Sequence, residues 1–180
     1  VAYFRKLITQ CSKRVPMAIP HPDSDLLSAV CGVITVSDTR TVDTDKSGQL
    51  IKYKLREFGH RLGVYRLVKD EPAQSASLVQ RLAPTVDVLI FNGGTGIAPR
   101  DTTYDAIATL LEKEIPGFGE IFRQLSYAEI GSRAIASRAT AGVYQSTLIF
   151  LLPGSSNAVA LAMDALILPE LQHLIRQLRG

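Results

Sequence analysis

The sequence predicts an α/β fold in which helices cover both faces of a mostly parallel central sheet, with a small hairpin-like insertion in the second half. Short continuous apolar segments alternate with amphipathic segments in the order β-α-β-α-β, which is typical of a parallel sheet buried on both faces. Each of the first three apolar segments ends in small polar or acidic residues, as strands do before a loop. The chain has 180 residues, 46% of them hydrophobic, which is enough for one domain with a buried core.

The first half of the chain supplies the predicted parallel strands and their crossover helices. Apolar runs over residues 30–36, 62–68 and 87–92 predict three buried strands. Apolar residues at helical spacing predict helices over residues 47–58 and 75–82. Because crossovers between parallel strands are right-handed, the carboxyl ends of the three strands are expected at one edge of the sheet, where α/β folds bind ligands.

The second half begins with a predicted helix over residues 103–112. The run 116–119, which contains one proline and two glycines, is expected to break the helical pattern. The remaining elements are predicted in this order: a helix over 120–129, strands over 138–143 and 147–152 joined by a turn at 144–146, and helices over 158–166 and 169–178. The last two strands form the hairpin-like insertion.

Charge and composition argue against nucleic acid and membrane partners. The formal net charge is +3, but four cations and no acid lie in the first 22 residues, and without those four cations the net charge becomes −1. Tryptophan is absent and aromatic residues make up only 7%, which does not favour a surface for stacking bases. The longest apolar runs are shorter than the roughly 18 residues that a membrane-spanning helix needs.

Residues 1–28 are interpreted as an N-terminal arm or disordered linker, and residues 29–180 as the ligand-binding domain. The two cysteines, Cys11 and Cys31, form neither a disulfide framework nor a metal motif, and Cys31 is expected to be buried in an apolar run. This cysteine usage indicates a reducing, cytoplasmic compartment. The three histidines show no zinc-binding spacing and no triad context, so they receive no catalytic role.

Two glycine-containing turns each follow a predicted strand and precede a predicted helix. In Gly93-Gly94-Thr95-Gly96, the glycines permit a sharp turn, and successive N–H groups with the Thr95 hydroxyl can bind an anion. Pro153-Gly154-Ser155-Ser156 has the same arrangement at the start of a helix, where free N–H groups bind phosphate. The alternatives are a tight connection for the first turn and helix capping by Ser155 or Ser156 for the second. Two such turns predict a ligand with two anionic or polar ends.

Three aspartates are expected at the same edge of the sheet. Asp38 follows the first strand, Asp70 follows the second, and Asp101 follows the first glycine turn. Asp70 could instead be a turn residue and Asp101 a helix cap, because aspartate often serves in both places. Carboxylates beside phosphate sites commonly hold Mg²⁺ through oxygen ligands, so Asp101 is a candidate magnesium ligand.

The order and spacing of several short motifs resemble those of one known family. The motifs are Thr35-Val36-Ser37-Asp38, Ser47-Gly48, the run from Phe91 to Gly96, Arg100-Asp101, the run from Ile115 to Glu120 with Phe122-Arg123, Ser137-Arg138-Ala139, and the run from Leu152 to Ser155. Across residues 29–178 they resemble the MoaB/MogA family of molybdenum cofactor biosynthesis proteins. The stretch EIGSRAIASRA over residues 129–139 is more similar to the MoaB branch than to the MogA branch.

The resemblance implies a three-layer α/β/α sandwich that binds molybdopterin, a pterin that carries a dithiolene and a phosphate. In the adenylyltransferase branch of the family, AMP from Mg-ATP is joined to that phosphate and pyrophosphate is released. On this pattern, Asp70 and Asp101 match acidic positions implicated in catalysis, and Asp101 would position Mg²⁺. The resemblance also implies a homo-oligomer, either a trimer or a hexamer.

The same resemblance assigns ligand contacts to both glycine turns, Gly93 to Gly96 and Pro153 to Ser156, with Ser37 and Asp38 as further binding residues. Arg138 is a candidate partner for an anion, although a salt bridge is an equally good interpretation. Three classes of function remain open: a molybdopterin adenylyltransferase that uses Mg-ATP, a molybdopterin-binding or carrier protein without that activity, and a structural oligomer whose turns bind nothing.

Overall fold

The structure is a computed structural model that describes residues 28–180, and its centre is one six-stranded mixed sheet. The predicted arm therefore lies outside the described residues except for Ser28, and so does Cys11. The strands are β1 (Val30–Val36), β2 (Arg61–Val68), β3 (Val88–Asn92), β4 (Lys113–Glu114), β5 (Thr140–Tyr144) and β6 (Thr147–Leu152).

Within residues 28–180, six α-helices pack around the sheet. They are α1 (Lys46–Glu57), α2 (Pro72–Leu82), α3 (Thr103–Ala108), α4 (Pro116–Ile130), α5 (Ser156–Ala162) and α6 (Leu168–Arg179). Two short 3₁₀ segments, Ala83–Thr85 and Gly131–Ala136, and one π-helical turn, Met163–Ile167, complete the described secondary structure.

The strand order across the sheet is β2-β1-β3-β6-β5-β4. The first four strands in this order are parallel to one another, whereas β5 and β4 run antiparallel to their neighbours. The parallel part places the carboxyl ends of β1, β2, β3 and β6 at one edge of the sheet. This edge is where the sequence predicts ligand binding.

Two apolar cores lie on opposite faces of the sheet, which makes the fold a three-layer α/β/α sandwich. In β3, Val88 and Ile90 pack in one core with residues of α1, α4, α5 and α6, while Leu89 and Phe91 pack in the other with residues of α2 and α3. This division follows from the alternation of side chains along a strand. The predicted fold class is therefore confirmed. Cys31 is buried in the first core, as expected, and burial raises the pKa of its thiol to about 12.

The predicted helix over 103–112 is too long, because α3 ends at Ala108. The chain beyond it pairs with β5: the Glu112 N–H donates to the Val143 carbonyl at 2.9 Å, and the Ile115 N–H donates to the Ala141 carbonyl at 2.8 Å. These bonds create the two-residue strand β4. The predicted hairpin of β5 and β6 is present, but it is not an insertion, because β6 pairs in parallel with β3 and is part of the central sheet.

The predicted break at 116–119 is also wrong, because α4 begins at Pro116. Proline is favoured in the first turn of a helix, where its missing N–H would have no partner. Gly119 suits the helix for a different reason: a Cβ atom there would lie 2.7 Å from the carbonyl oxygen of Ala139. The glycine therefore lets α4 approach the chain just before β5.

The last two predicted helices form one continuous helical stretch, Ser156–Arg179, with the π-helical turn Met163–Ile167 inside it. Pro169 cannot donate to a carbonyl in the preceding turn, and the wider turn just before it lets the helix continue. By length and composition this 24-residue stretch could cross a membrane. In the fold, Val159, Ile167 and Leu171 on one of its faces are fully buried in the core.

Candidate functional site

The two glycine turns meet at the carboxyl edge of the sheet. A Cβ atom on Gly154 would lie 3.2 Å from the Cα atom of Gly93, so the two backbones are in direct contact. Gly93 also has a φ of +100°, and a Cβ atom there would overlap the carbonyl oxygen of Val36. Only glycine combines this backbone conformation with such close approach. The two turns to which the resemblance assigns ligand contacts therefore lie side by side.

A cleft of about 330 Å³ opens where the turns meet. One wall is formed by the two turns and Asp101, and the other by the 3₁₀ segment that precedes β5. The lining residues are Gly93, Gly94, Thr95, Gly96, Asp101, Arg133, Ala136, Ser137, Arg138, Pro153 and Gly154. The two glycine turns and two arginines thus line a small cavity together, which suits an anionic ligand.

Asp101 lies at the cleft with its carboxylate against the first glycine turn. Its Oδ2 accepts a hydrogen bond from the Ala98 N–H at 3.2 Å. A Cβ atom on Gly96 would overlap that oxygen, so the glycine makes room for the carboxylate. The capping alternative is wrong for Asp101, because its carboxylate accepts from Ala98, which precedes it in the loop, and Thr102 is the N-cap of α3.

Asp70 lies behind the first glycine turn and organises the start of α3. Its Oδ1 accepts four hydrogen bonds of 2.9–3.2 Å, from the N–H and hydroxyl groups of Thr102 and Thr103. A Cβ atom on Gly94 would lie 2.6 Å from its other oxygen, Oδ2. Asp70 therefore caps a helix from a distant strand end and contacts the back of the turn, outside the cleft lining.

Ser37 and Asp38 hold neighbouring loops together at the same edge. The Ser37 hydroxyl oxygen accepts hydrogen bonds from the N–H groups of Thr39 and Arg40, at 3.3 and 3.2 Å. Asp38 accepts a hydrogen bond from the Asp70 N–H at 3.2 Å and pairs with Arg100 at 2.9 Å. Both lie beside the cleft rather than among its lining residues, so their role as ligand contacts stays a prediction.

The second turn divides into two parts. Pro153 and Gly154 line the cleft, whereas Ser155 caps α5 by accepting a hydrogen bond from the Ala158 N–H at 3.2 Å. Ser156 is the first residue of that helix. The capping alternative is therefore confirmed for Ser155.

Arg138 is held over the cleft by contacts on three sides. Its Nη1 donates to the Gly96 carbonyl at 3.0 Å, its Nη2 pairs with Asp105, and its guanidinium carbon lies 4.2 Å from the centre of the Tyr104 ring. Arg138 therefore forms a salt bridge with Asp105 and also lines the cleft. Arg138 precedes β5, which begins at Thr140 and not at residue 138 as predicted. Arg133 and Ser137 were not predicted as site residues, although both lie in the stretch 129–139 that resembles the MoaB branch, and that stretch is the signal that could have marked them.

A buried polar network that was not predicted from the sequence lies beneath the two turns. Asp45, whose side chain is 0% exposed, accepts hydrogen bonds from Thr35 at 2.6 Å, from Tyr65 at 2.7 Å and from the Gly48 N–H at 3.0 Å. Its position three residues before Gly48 is the spacing of a helix N-cap, and that signal could have marked it.

The network keeps Asp45 ionised. Burial by itself would raise the pKa of this carboxyl, but the hydrogen bonds from Thr35, Gly48, Tyr65 and Ser47 outweigh burial and lower the pKa below its ordinary value. The same environment raises the pKa of Tyr65 to about 12, through burial first and then through its hydrogen bond to Asp45. A negative charge is therefore fixed below the cleft.

The three predicted carboxylates do not form a cation site on their own. Among residues 28–180, no group of three or more histidine, cysteine, aspartate or glutamate side chains is arranged to hold a metal ion. Asp38 is paired with an arginine and Asp70 is engaged by α3, which leaves Asp101 at the cleft. One carboxylate suits Mg²⁺ when substrate phosphates and water supply the other ligands.

Comparison with known families and proteins gives one consistent result. Residues 32–173 match the family described as a probable molybdopterin binding domain. Molybdenum cofactor biosynthesis protein B of Bacillus subtilis (strain 168) is 57% identical over 152 residues, which cover 83% of this chain and 89% of that protein.

Solved structures agree with this match. A crystal structure of a molybdenum cofactor biosynthesis protein B is 48% identical, has a TM-score of 0.83, and is matched over 86% of this chain and 98% of that one. The tungsten cofactor synthesizing protein MoaB from Pyrococcus furiosus is 35% identical, has a TM-score of 0.78, and is matched over 89% of this chain and 100% of that one.

Proposed function

Because the chain belongs to the molybdenum cofactor biosynthesis family described as a probable molybdopterin binding domain, we propose that its cleft binds molybdopterin and that the protein transfers AMP from Mg-ATP to the molybdopterin phosphate. The observation that supports this most directly is the convergence of two glycine turns, Asp101 and two arginines on one cleft of about 330 Å³. That volume is within the range of small-molecule sites, which is roughly 300–1,000 Å³.

The chemistry of the cleft fits a phosphate-bearing ligand. The N–H groups of Gly94 to Gly96 and the guanidinium groups of Arg133 and Arg138 can donate hydrogen bonds to phosphate oxygens, whereas the Gly93 N–H already donates to the Leu152 carbonyl at 3.0 Å. Tight turns without Cβ atoms allow a ligand to approach the backbone closely. We therefore assign the terminal phosphate of molybdopterin to this cleft, with Pro153 and Gly154 as further contacts.

Adenylyl transfer needs positioning more than covalent help from the protein. A phosphate oxygen of molybdopterin attacks the α-phosphorus of ATP, a new P–O bond forms, and the bond to the β-phosphate oxygen breaks, so that pyrophosphate leaves with that oxygen. Holding the two reactants in line and neutralising the charge that develops can supply most of the acceleration.

In this reaction Asp101 and Asp70 act in different places. Asp101, at the cleft, would hold Mg²⁺, which neutralises phosphate charge when it is bound. Asp70 contacts the cleft through Gly94 and fixes the start of α3, so it orients the turn that binds the ligand. Ser37 and Asp38 fix the adjoining loops and are proposed as outer contacts of the nucleotide.

A second candidate function is binding and delivery of molybdopterin without adenylyl transfer. It is favoured by the engagement of Asp70 in four hydrogen bonds, because a carboxylate oxygen so occupied has little capacity left for metal or substrate. Under this alternative the cleft and its arginines keep their role, and only the catalytic role of the carboxylates is lost.

Two measurements separate these functions. Isothermal titration of the purified protein with molybdopterin tests binding. If no heat is released at concentrations well above the micromolar range, the proposal that the cleft binds molybdopterin is wrong. Incubation with molybdopterin and Mg-ATP, followed by a pyrophosphate assay, tests transfer. Samples without molybdopterin, or with EDTA, are the controls. Binding without pyrophosphate above these controls would select the carrier function.

We also propose that the protein assembles as a homo-oligomer, either a trimer or a hexamer, in the cytoplasm. Exposed apolar side chains support this: Ile135 is 90% exposed, and Tyr127 lies beside it in a groove of about 410 Å³. Light scattering coupled to size exclusion measures the mass. A mass of one chain at micromolar concentration would contradict the proposal, and Ile135→Asp is expected to reduce the mass if this groove is the interface.

The reduced, buried thiol of Cys31 is consistent with a reducing compartment.

A further inference from the structure

We propose that Asp45 is a positioning residue that holds both glycine turns in their ligand-binding arrangement, acting through Arg40 on the second turn and through Asn92 on the first. The proposal rests on the binding function proposed above. It goes beyond that function because Asp45, Arg40 and Asn92 lie outside the set of residues that line the cleft.

The centre of the arrangement is a fully buried carboxylate with partners on both oxygens. The Oδ2 atom of Asp45 accepts hydrogen bonds from the hydroxyls of Thr35 and Tyr65, at 2.6 and 2.7 Å. Its Oδ1 atom accepts from the Gly48 N–H at 3.0 Å and lies 3.5 Å from a guanidinium nitrogen of Arg40. A buried charge with this many partners is rigid, because losing any one of them leaves the charge less compensated.

Arg40 connects this charge to the second glycine turn. Its guanidinium donates to the Ser47 hydroxyl at 2.7 Å and to the carbonyl oxygen of Gly154 at 2.8 Å. Because the peptide bond is planar and trans, fixing that carbonyl also fixes the direction of the N–H group of Ser155, which points the opposite way. The rigid fork of an arginine suits two such partners better than the single ammonium of a lysine.

Asn92 connects the same charge to the first glycine turn. It is the last residue of β3 and directly precedes Gly93. Its Oδ1 accepts from the Ser47 hydroxyl at 2.7 Å, and its Nδ2 donates to the Thr35 hydroxyl oxygen at 3.0 Å. Thr35 in turn donates its hydroxyl proton to Asp45, so its oxygen can only accept from Asn92, which fixes the orientation of the Asn92 amide. The Ser47 proton has two acceptors within reach, Asn92 Oδ1 at 2.7 Å and Asp45 Oδ1 at 3.1 Å.

The two branches meet only at the buried carboxylate and at Ser47 beside it, within the part of the chain that the structure describes. The first and second turns are far apart in the sequence, and each is anchored to the segment that runs from the end of β1 to the first turn of α1. A change at Asp45 is therefore expected to reach both glycine turns, which together form one wall of the cleft, although Asp45 itself does not line the cleft.

The primary test uses Arg40→Met, with Arg66→Met as the matched control. Arg66 is an exposed arginine on β2, and its Nη1 donates a hydrogen bond to the carbonyl oxygen of the neighbouring Tyr65. We expect Arg40→Met to increase amide hydrogen exchange in Ser155 and the residues after it about tenfold and to weaken molybdopterin binding about tenfold, with the thermal midpoint close to that of the control. Arg40→Lys, which retains one donor group, should recover part of the affinity.

A double-mutant cycle tests whether Asp45 acts through Arg40. Asp45→Asn alone should weaken binding, and adding Arg40→Met to it should weaken binding little further, because both changes break the same connection. Additive effects would overturn the proposal. So would an Arg40→Met protein whose exchange and affinity equal those of Arg66→Met, or one whose exchange rises while its affinity is unchanged.

The outcome is separable from that of the proposed function. If the wild-type protein shows no heat with molybdopterin, the binding function fails, and the hydrogen-exchange comparison still reports whether Arg40 fixes the second turn. If the wild type binds and Arg40→Met matches the control in both measurements, the binding function stands and the positioning role of Asp45 fails.

Discussion

The carboxylate of Asp101 occupies the space that a Cβ atom on Gly96 would need. Such an atom would lie 3.1 Å from Cγ of Asp101 and would overlap Oδ2. Gly96 has no positive φ, so an alanine there meets crowding but no backbone strain. The position of the Asp101 carboxylate therefore depends on the absence of a side chain at Gly96, and a substitution at Gly96 tests the importance of that position.

The first prediction is that Gly96→Ala displaces the Asp101 carboxylate while the domain remains folded. We expect the release of pyrophosphate to fall at least about tenfold, as is usual when a catalytic group moves by a fraction of an ångström to one ångström. Gly117→Ala is the matched control, because a Cβ atom there has no other atom within 4 Å. Equal turnover in the two variants would show that the position of Asp101 is not important.

The second prediction concerns Gly93 and the stability of the fold. Alanine at position 93 would have to adopt a φ of +100° and would overlap the Val36 carbonyl. Gly59 has a φ of +79° but open space around it, so Gly59→Ala carries only the conformational strain, roughly 1–2 kcal/mol. We expect Gly93→Ala to lower the free energy of unfolding clearly more than Gly59→Ala. Equal losses in urea titrations would mean that the close approach to Val36 relaxes without cost.

The third prediction separates the two candidate catalytic aspartates. Asp101→Ala should leave the thermal midpoint nearly unchanged and abolish adenylyl transfer. Asp70→Ala removes the acceptor for four donors at the start of α3, so it should lower the free energy of unfolding by about 0.5–2 kcal/mol, the usual loss for a helix cap. Calorimetry and the pyrophosphate assay on both variants give the comparison. A stable, active Asp101→Ala protein would remove that residue from the mechanism.

The parts of this fold that local pattern determines were predictable from the sequence. The strands β1, β3 and β6 are continuous apolar runs, and the resemblance of their following turns to the MoaB/MogA family is confirmed by the matches reported above. The place of Gly154 beside Gly93 did not follow from strand order, because the sequence assigned β6 to a hairpin-like insertion and not to a position beside β3, whereas the place of Gly93 followed from a general rule, because parallel strands end at one edge. None of these inferences needed knowledge of distant side chains.

The parts that depend on distant partners were not predictable. The strand β4 is two residues long and exists because β5 lies beside it, so no local pattern could reveal it. Asp45 lies in a polar segment whose composition predicts a loop, and its burial depends on Tyr65 and Thr35, which belong to two different strands. Arg133 reaches the cleft because it lies in the 3₁₀ segment Gly131–Ala136. The sequence predicted no regular structure between the helix over 120–129 and the strand over 138–143, so this segment was not anticipated.

The fourth prediction is that one histidine makes the protein less stable in mild acid. His60 is 5% exposed, and its Nδ1 accepts a hydrogen bond from the Ala29 N–H at 3.3 Å, which requires a neutral ring. Burial lowers the pKa of His60 from its ordinary value of 6.5. The unfolded chain therefore binds the proton more readily than the native protein does. The stability that His60 contributes is fully present above about pH 6.5 and is lost as the pH falls from there through the lowered native pKa.

The measurement is the free energy of unfolding in urea between pH 8 and about pH 5, for the wild type and for His60→Asn. Asparagine offers an acceptor oxygen near the position of Nδ1 but does not titrate. The other two histidines and all carboxylates are common to both proteins, so they cancel in the difference between the two curves. The wild-type curve is expected to fall below pH 6.5 while that of His60→Asn stays flatter. Parallel curves over this window would show that His60 has the same proton affinity in the native and unfolded chains.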